Sequence, residues 1–348
     1  MIKRLTQSDY NKYTSFLEKN ECSHFMQSLQ WADFKKKQKS FIIMYLDDCE
    51  NIRGTMLMFL QEVRHTNKRF LYSPRGPVCD RNDTEILSEL LKEAEKIAKE
   101  NNAYKLTIDP DITSEDTTWL DFFEQKGARI GENKRENGIL QPLAVFRIDV
   151  DKTDDELMSS YHSKARYSVR TSIKSGAVCR IGTRDDIPAF CKLLANTAKN
   201  DGFTARGCDY FYEMHDAFGE DLFKLFIVEY EETPIAASVL LRFGGKTWHM
   251  YAGSSDEYKE TLPNFLMQWE MQRWSRDNGA YLYDMRGIAG EGDKLKPIEG
   301  LVRFKKRFGG ELSSFVGRID FVYNRFDDFY ARIIGRLAAF VRRMRGRK

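Results

Sequence analysis

Three stretches of the chain carry residue types suited to acyl and phosphate chemistry. Trp248-His249-Met250-Tyr251-Ala252-Gly253-Ser254 precedes Tyr283-Asp284-Met285-Arg286-Gly287, and Phe304-Lys305-Lys306-Arg307-Phe308-Gly309-Gly310 follows. A weaker echo sets Phe70-Leu71-Tyr72-Ser73-Pro74-Arg75-Gly76-Pro77 ahead of Leu106-Thr107-Ile108-Asp109-Pro110. An ammonium fixed on a rigid element, as at Lys305, can stabilise a developing oxyanion. The bland alternative is a solvated lysine in the basic run Arg303 to Arg307. A strand-end carboxylate such as Asp109 can take a proton from an amine if burial raises its pKa. It can equally close an Asx turn with Pro110. The histidines His24, His65, His162, His215 and His249 show no ligand spacing, so no metal is expected.

These residues need elements to hold them. Glu21 to Asp33 reads as a helix. Phe41 to Leu46 and Thr55 to Val63 read as strands about a turn at Asp47 to Arg53, and Arg69 to Tyr72 begins a third strand closed by Pro74-Arg75-Gly76-Pro77. Asp83 to Asn101 is strongly helical, with Ile86, Leu90, Leu91, Ala94 and Ile97 on one face, and Tyr104 to Ile108 is a short buried strand. The order then recurs: strands at Lys224 to Tyr230, Ile235 to Phe243 and Thr247 to Ala252, a helix at Pro263 to Asn278, and a strand at Tyr281 to Met285. A duplicated α/β unit follows, with the boundary near Val150. Between the copies, Tyr161 to Gly176 reads as a helix with a glycine stop, and Lys164, Arg166, Arg170 and Lys174 recur on it at helical spacing.

Composition sets the outer limits. A chain of 348 residues favours two domains, and a formal net charge of +3 argues for no nucleic-acid binding by overall charge. The basicity is local: from Arg325 to the end, eight cations stand against two acids. There Phe326, Phe329, Tyr330, Ile333, Ile334, Leu337, Phe340 and Val341 line one side of a helix. That helix is expected to dock on the first domain through its first half, or to lie on an anionic membrane. The six cysteines show no CxxC pairing and are expected to be free thiols in a reducing cytoplasm. No secretory signal opens the chain, and no apolar run is long enough to span a bilayer.

Taken in order, Gln27 to Lys35, Leu71 to Val78, Asp109-Pro110, Lys164 to Gly176, Arg206 to Ala217, Trp248 to Ser254, Tyr283 to Gly287 and Phe304 to Gly310 resemble the Fem family of non-ribosomal peptidyltransferases, most of all its FemX-type members. The resemblance implies an α/β (α+β) fold of two tandem acetyltransferase-like domains with a cleft between them. The first domain is expected at 1–150 with 316–348, the second at 151–315. No heptad stretch interrupts Val178 to Arg307, so the coiled-coil arm of some relatives is not expected.

The implied activity moves an amino acid from aminoacyl-tRNA to a stem-peptide amine of a peptidoglycan precursor. Aminoacyl-tRNA is then a co-substrate and no cofactor is expected. This is aminolysis of an already activated ester, and it fits the lack of a Ser-His-Asp or Cys-His signature. By the resemblance, Lys305 and Asp109 are the catalytic candidates. Lys35, one turn after Trp31 in a lysine run, and Arg206, after the Gly202-Phe203-Thr204-Ala205 turn, would hold the acceptor's diphosphate, for which cations on rigid elements are suited. Tyr251 would donate its hydroxyl to the same phosphates, and Arg75 would line the acceptor groove. The basic helix through Lys164, Arg166, Arg170 and Lys174 is a candidate tRNA contact.

The acceptor is either the soluble nucleotide precursor (UDP-MurNAc-pentapeptide) or its lipid-linked form, lipid II, and the basic tail favours the latter. The expected location is the cytoplasm, at the inner face of the membrane if the tail binds lipid. Two other readings stay open: an acyl-CoA-dependent N-acetyltransferase and a non-catalytic RNA or membrane adaptor. The acetyltransferase needs a glycine-rich pyrophosphate loop at a helix start. Gly287-Ile288-Ala289-Gly290-Glu291-Gly292 has the glycines but no helix signal after them. Retention of Lys35, Arg206, Tyr251 and Lys305 together argues against the adaptor.

Overall fold

A computed structural model describes residues 1–131, 141–288 and 299–345. The chain divides into two compact units, Met1–Leu143 with Ser314–Lys348, and Ala144–Ser313. The strand Ala144–Asp149 hydrogen-bonds to Leu282–Gly287, so it belongs to the second unit's sheet.

In the first unit the strand order is Ile2–Arg4, Ser40–Leu46, Ile52–Glu62, Arg69–Arg75, Ala103–Pro110, Ile319–Val322, Arg129–Ile130, with Val78–Cys79 beside Ile52–Glu62. Arg69–Arg75 and Ala103–Pro110 run parallel. Parallel neighbours cannot share a tight turn, and the helix Thr84–Glu100 makes the return. The Asp83 side chain caps it by accepting the Ile86 N–H at 3.1 Å. Its apolar positions, three and four apart, bury Ile86, Leu87, Leu90, Leu91, Ala94, Ile97 and Ala98 in the unit's core.

The second unit repeats the plan. Its order is Glu311–Ser314, Ala144–Asp149, Leu282–Gly287, Lys246–Ser254, Thr233–Phe243, Phe223–Tyr230, Val178–Gly182. Lys246–Ser254 and Leu282–Gly287 are the parallel pair, and the helix Pro263–Asp277 links them. That helix is buried on several faces because the helix Ser163–Lys174 covers its outer side, and the Tyr161 ring meets Trp269 edge-on at 6.0 Å.

In this second sheet the parallel pairing covers only Lys246↔Leu282, Thr247↔Tyr283 and Trp248↔Asp284. Both strands then continue without further mutual register, and a bulge at Met250 bends the longer one where they part.

Four expectations need correction. Glu21 to Asp33 is not one helix. A 3-10 turn, Phe25–Gln27, and a short α-helix, Leu29–Phe34, meet at Ser28, whose hydroxyl accepts the Trp31 N–H at 3.1 Å and starts a new helix. Cys191 and Cys208 are not free. The helices Ile187–Asp201 and Cys208–Leu222 bring their Cα atoms to 5.9 Å in a disulfide. Cys22, Cys49, Cys79 and Cys179 are free. The helix Arg325–Arg345 docks through its other face, with Asp328 and Ala331 buried and Asp328 paired to Arg129 at 2.9 Å. The apolar stripe from Phe326 to Val341 points outward. Arg75, expected in a groove, is an interior residue, as detailed below. Ala289 to Gly292 of the glycine-rich stretch, and the tail's Arg347 and Lys348, lie outside the described residues.

Candidate active site

In the first unit the strand Ile52–Glu62 pairs with Arg69–Arg75 from Phe59↔Tyr72 outward, and with Val78–Cys79 at Gly54 and Thr55. The buried Gln27 amide fills the interval. Its Oε1 accepts the Leu57 N–H at 2.8 Å, and its Nε2 donates to the Pro74 carbonyl at 2.7 Å. Ser73 Oγ donates to the Leu57 carbonyl at 2.7 Å. A side chain thus replaces a rung of the ladder and holds the turn that follows. At Gly76 a Cβ would lie 2.6 Å from the Gln27 amide, so a bulkier residue would displace it.

Asp109, at the end of its strand, is buried. Its Oδ2 accepts the Tyr72 hydroxyl and its Oδ1 the Arg75 N–H, both at 2.8 Å. Burial, then the Asp109 charge, push the Tyr72 hydroxyl well above its ordinary pKa. The geometry makes Asp109 the brace of the Pro74 to Pro77 turn. Arg75 is only 2% exposed. Its backbone takes a positive φ of 55°, its Nη2 donates to the Pro142 carbonyl at 2.8 Å, and its guanidinium lies 4.2 Å from the Phe315 ring. The side chain is therefore interior, packed against Phe315 and bonded to the Pro142 carbonyl. Lys35 ends the helix Leu29–Phe34, and its ammonium stands 5.0 Å from the Trp31 ring and 4.2 Å from the Phe34 ring. The Trp31-to-Lys35 spacing therefore has a physical content, since two aromatic faces present one cation.

In the second unit a cluster forms around Tyr251. Its hydroxyl is 3.0 Å from that of Tyr210, and the Arg206 guanidinium is 5.3 Å from the Tyr210 ring. Phe211 packs edge-on against Tyr251 at 5.1 Å and fixes the ring. Burial raises the Tyr210 hydroxyl's pKa, Tyr251 adds to the effect, and Arg206 and Arg286 oppose it. The Tyr210 phenol stays protonated at neutral pH, and both hydroxyls can donate to an anion. Tyr210 was not singled out from the sequence. Its signal was the spacing to Arg206, four residues earlier on the approach to a helix.

Lys305 sits in the helix Glu299–Lys306 and is 5% exposed. Its Nζ donates to three successive carbonyls, Met285 at 2.5 Å, Arg286 at 3.0 Å and Gly287 at 2.7 Å. An ammonium has three N–H groups, and all three are used. Burial pushes this group down to about 8, and the Asp284 charge partly restores it. Asp284 Oδ1 accepts the Arg286 N–H at 2.7 Å, and its Oδ2 accepts from Arg147 Nε at 3.2 Å. Arg286 has φ of 60°. In each unit a buried aspartate holds the N–H of an arginine at positive φ, Asp109 reaching Arg75 across the parallel strand pair and Asp284 reaching Arg286 two residues on in its own strand.

Behind this turn Tyr283 donates to Gln268 Oε1 at 2.9 Å, and Gln268 Nε2 lies 3.3 Å from His249 Nδ1. Burial and the Lys305 charge push His249 down to about 3, so it is neutral.

The basic helix Ser163–Lys174 presents Lys164, Arg170 and Lys174 to solvent. Arg166 differs, because its guanidinium donates to the Ser159 and Tyr161 carbonyls and closes the preceding turn. Among the described residues no group of His, Cys, Asp or Glu has the arrangement of a metal site.

Known proteins resemble this chain along most of its length. The lipid II:glycine glycyltransferase of Staphylococcus epidermidis is 27% identical over 390 aligned positions, covering 90% of this chain and 91% of that one. The crystal structure of FemX superposes with a TM-score of 0.85 at 24% identity, over 93% of this chain and 98% of that one. A tandem GNAT protein from the clavulanic acid pathway superposes with a TM-score of 0.56 at 9% identity, over 93% and 98% of the two chains. Both likenesses establish the fold, two acetyltransferase-like units in one chain. With the FemAB family model matching residues 5–231 and 221–332, the chain belongs to the FemAB family.

Proposed function

We propose that this enzyme is an aminoacyltransferase that moves an amino acid from aminoacyl-tRNA to the stem-peptide amine of a lipid-linked peptidoglycan precursor. The observation that carries the reading is the Arg206–Tyr210–Tyr251 cluster. A guanidinium over the Tyr210 ring and two phenol hydroxyls 3.0 Å apart make up the kind of donor set a diphosphate requires. Lys35, held over two aromatic rings, is a further candidate cation for a phosphate. The relatives named lipid II:glycine glycyltransferase support a lipid-linked acceptor.

In the reaction the acceptor amine attacks the ester carbonyl carbon. The C–N bond forms, a tetrahedral oxyanion develops, and the C–O bond to the ribose breaks as that oxygen takes a proton. The amine loses one proton, so the balance closes without a cofactor. The protein's part is orientation and electrostatics. Lys305 acts here by holding the Met285 to Gly287 turn and by placing a buried positive charge beside it. A direct bond from Lys305 to the oxyanion would require one of its three carbonyls to be released. Asp109 positions the Pro74 to Pro77 turn in the first unit and is not assigned as a base. Lys164, Arg170 and Lys174 offer spaced cations for tRNA phosphates.

The test is transfer of label from tRNA charged with radioactive glycine, alanine or serine. Label is expected in the lipid-linked acceptor, and ribonuclease treatment of the donor beforehand should abolish it. No label in either the lipid-linked or the nucleotide-linked acceptor would refute the enzymatic reading.

A further inference from the structure

The helix Arg325–Arg345 carries the largest outward-facing apolar stripe among the described residues. Phe326, Phe329, Tyr330, Ile333, Leu337, Phe340, Val341 and Met344 are each 39–75% exposed. At 3.6 residues per turn they fall within an arc of about 120°. The opposite face is spoken for, since Asp328 and Ala331 are buried and Asp328 pairs with Arg129. Arg332 and Arg336 flank one edge of the stripe, and the sequence beyond Asp328 holds seven cations and no acid.

We infer that this stripe is a membrane-docking surface, on which the helix lies in the plane of an anionic bilayer with its large apolar side chains among the acyl chains. Charge decides the occupant. A second copy of the helix would set a stretch of seven cations and no acid beyond Asp328 against its like. An anionic headgroup layer complements that surplus of positive charge. The helix cannot span the bilayer, because no helix among the described residues is long and apolar enough. The surface would hold the enzyme at the plane where a lipid-linked acceptor resides, but the inference stands apart from the transfer reaction.

The experiment is co-sedimentation of the full chain with vesicles of phosphatidylcholine alone or with phosphatidylglycerol added, without donor or acceptor. Binding is expected only to the anionic vesicles and should weaken as salt rises. The triple variant Leu337→Ser, Phe340→Ser, Met344→Ser should lower partitioning at least about tenfold. Because that variant could be compromised in folding, Phe340→Trp gives a second readout: its added emission should shift to the blue on anionic vesicles. Failure of the wild-type chain to bind anionic vesicles would overturn the inference, as would equal binding by the triple variant or no shift from Phe340→Trp. A wild-type dimer that the triple variant disperses, without vesicle binding, would assign the stripe to a second copy and overturn it too.

Discussion

At the scale of residues, the informative side chain is Lys305. A sequence can show a lysine after a phenylalanine in a basic run, but not that the lysine is buried while its neighbours are solvated. Its three carbonyl partners come from a strand end about twenty positions earlier, and only tertiary structure brings them together. Lys305→Ala should therefore lower the transfer rate by about a hundredfold or more, the scale of losing a key electrostatic group. A loss below about threefold would remove Lys305 from the mechanism.

The pH dependence has a definite sign. The group is charged below about 8 and neutral above it, so the rate should fall as pH rises through about 8. Lys305→Arg, which keeps the charge, should lack that falling limb. Stability runs the other way. The ordinary lysine value of 10.5 lies above the folded value, so the unfolded chain binds the proton more tightly, and stability rises between about pH 8 and 10.5. Tyr210 escaped sequence reading because a tyrosine's burial and its partner's distance are invisible there. Tyr210→Phe should raise the acceptor KM about five- to tenfold with kcat little changed, as expected for one hydrogen bond to a charged group. An unchanged KM would dismiss the cluster's role.

At the scale of elements, eight of the strands and the two linking helices were legible because each has one dominant determinant, whereas the strands at the sheet margins, such as Ala144–Asp149 and Ile319–Val322, were not read. Strands buried on both faces read as apolar runs, and Thr84–Glu100 reads by its apolar spacing. The break at Ser28 was not legible, since the hydroxyl competes with the helix only once the following turn is in place. Nor could the docked face of Arg325–Arg345 be read. An apolar stripe looks the same in sequence whether protein or lipid covers it, and here the small and acidic face is the one that docks. Gln27 is the element-scale test of the first unit. Gln27→Ala removes a substitute rung and leaves the Leu57 N–H and Pro74 carbonyl without it. It should cost roughly 2–5 kcal/mol in urea unfolding. A cost below about 0.5 kcal/mol would show that the amide is dispensable. For the basic helix, replacing Lys164, Arg170 and Lys174 with Gln should flatten the log–log salt slope of tRNA binding by about 2–3. An unaltered slope would place the tRNA elsewhere.

At the scale of the whole molecule, the duplication was legible from order and spacing alone, although the two copies share little sequence. What persists is the plan, a parallel strand pair returned by a helix: Arg69–Arg75 with Ala103–Pro110, and Lys246–Ser254 with Leu282–Gly287. The first unit buries Arg75 against Phe315, while the second sets Lys305 against the Met285 to Gly287 carbonyls and places Tyr251 on the neighbouring strand. The Cys191–Cys208 pairing was beyond sequence reading, because the two cysteines stand 17 positions apart and only adjacent helices bring them together.

The measurement that bears most directly on this account is the acceptor specificity of Arg206→Ala and Tyr251→Phe. Each variant should raise the KM for a diphosphate-bearing acceptor by about tenfold or more, and leave the KM for the free pentapeptide within about twofold of wild type. Equal losses on both acceptors would mean that the cluster does not recognise the diphosphate, and the proposed acceptor site would be wrong.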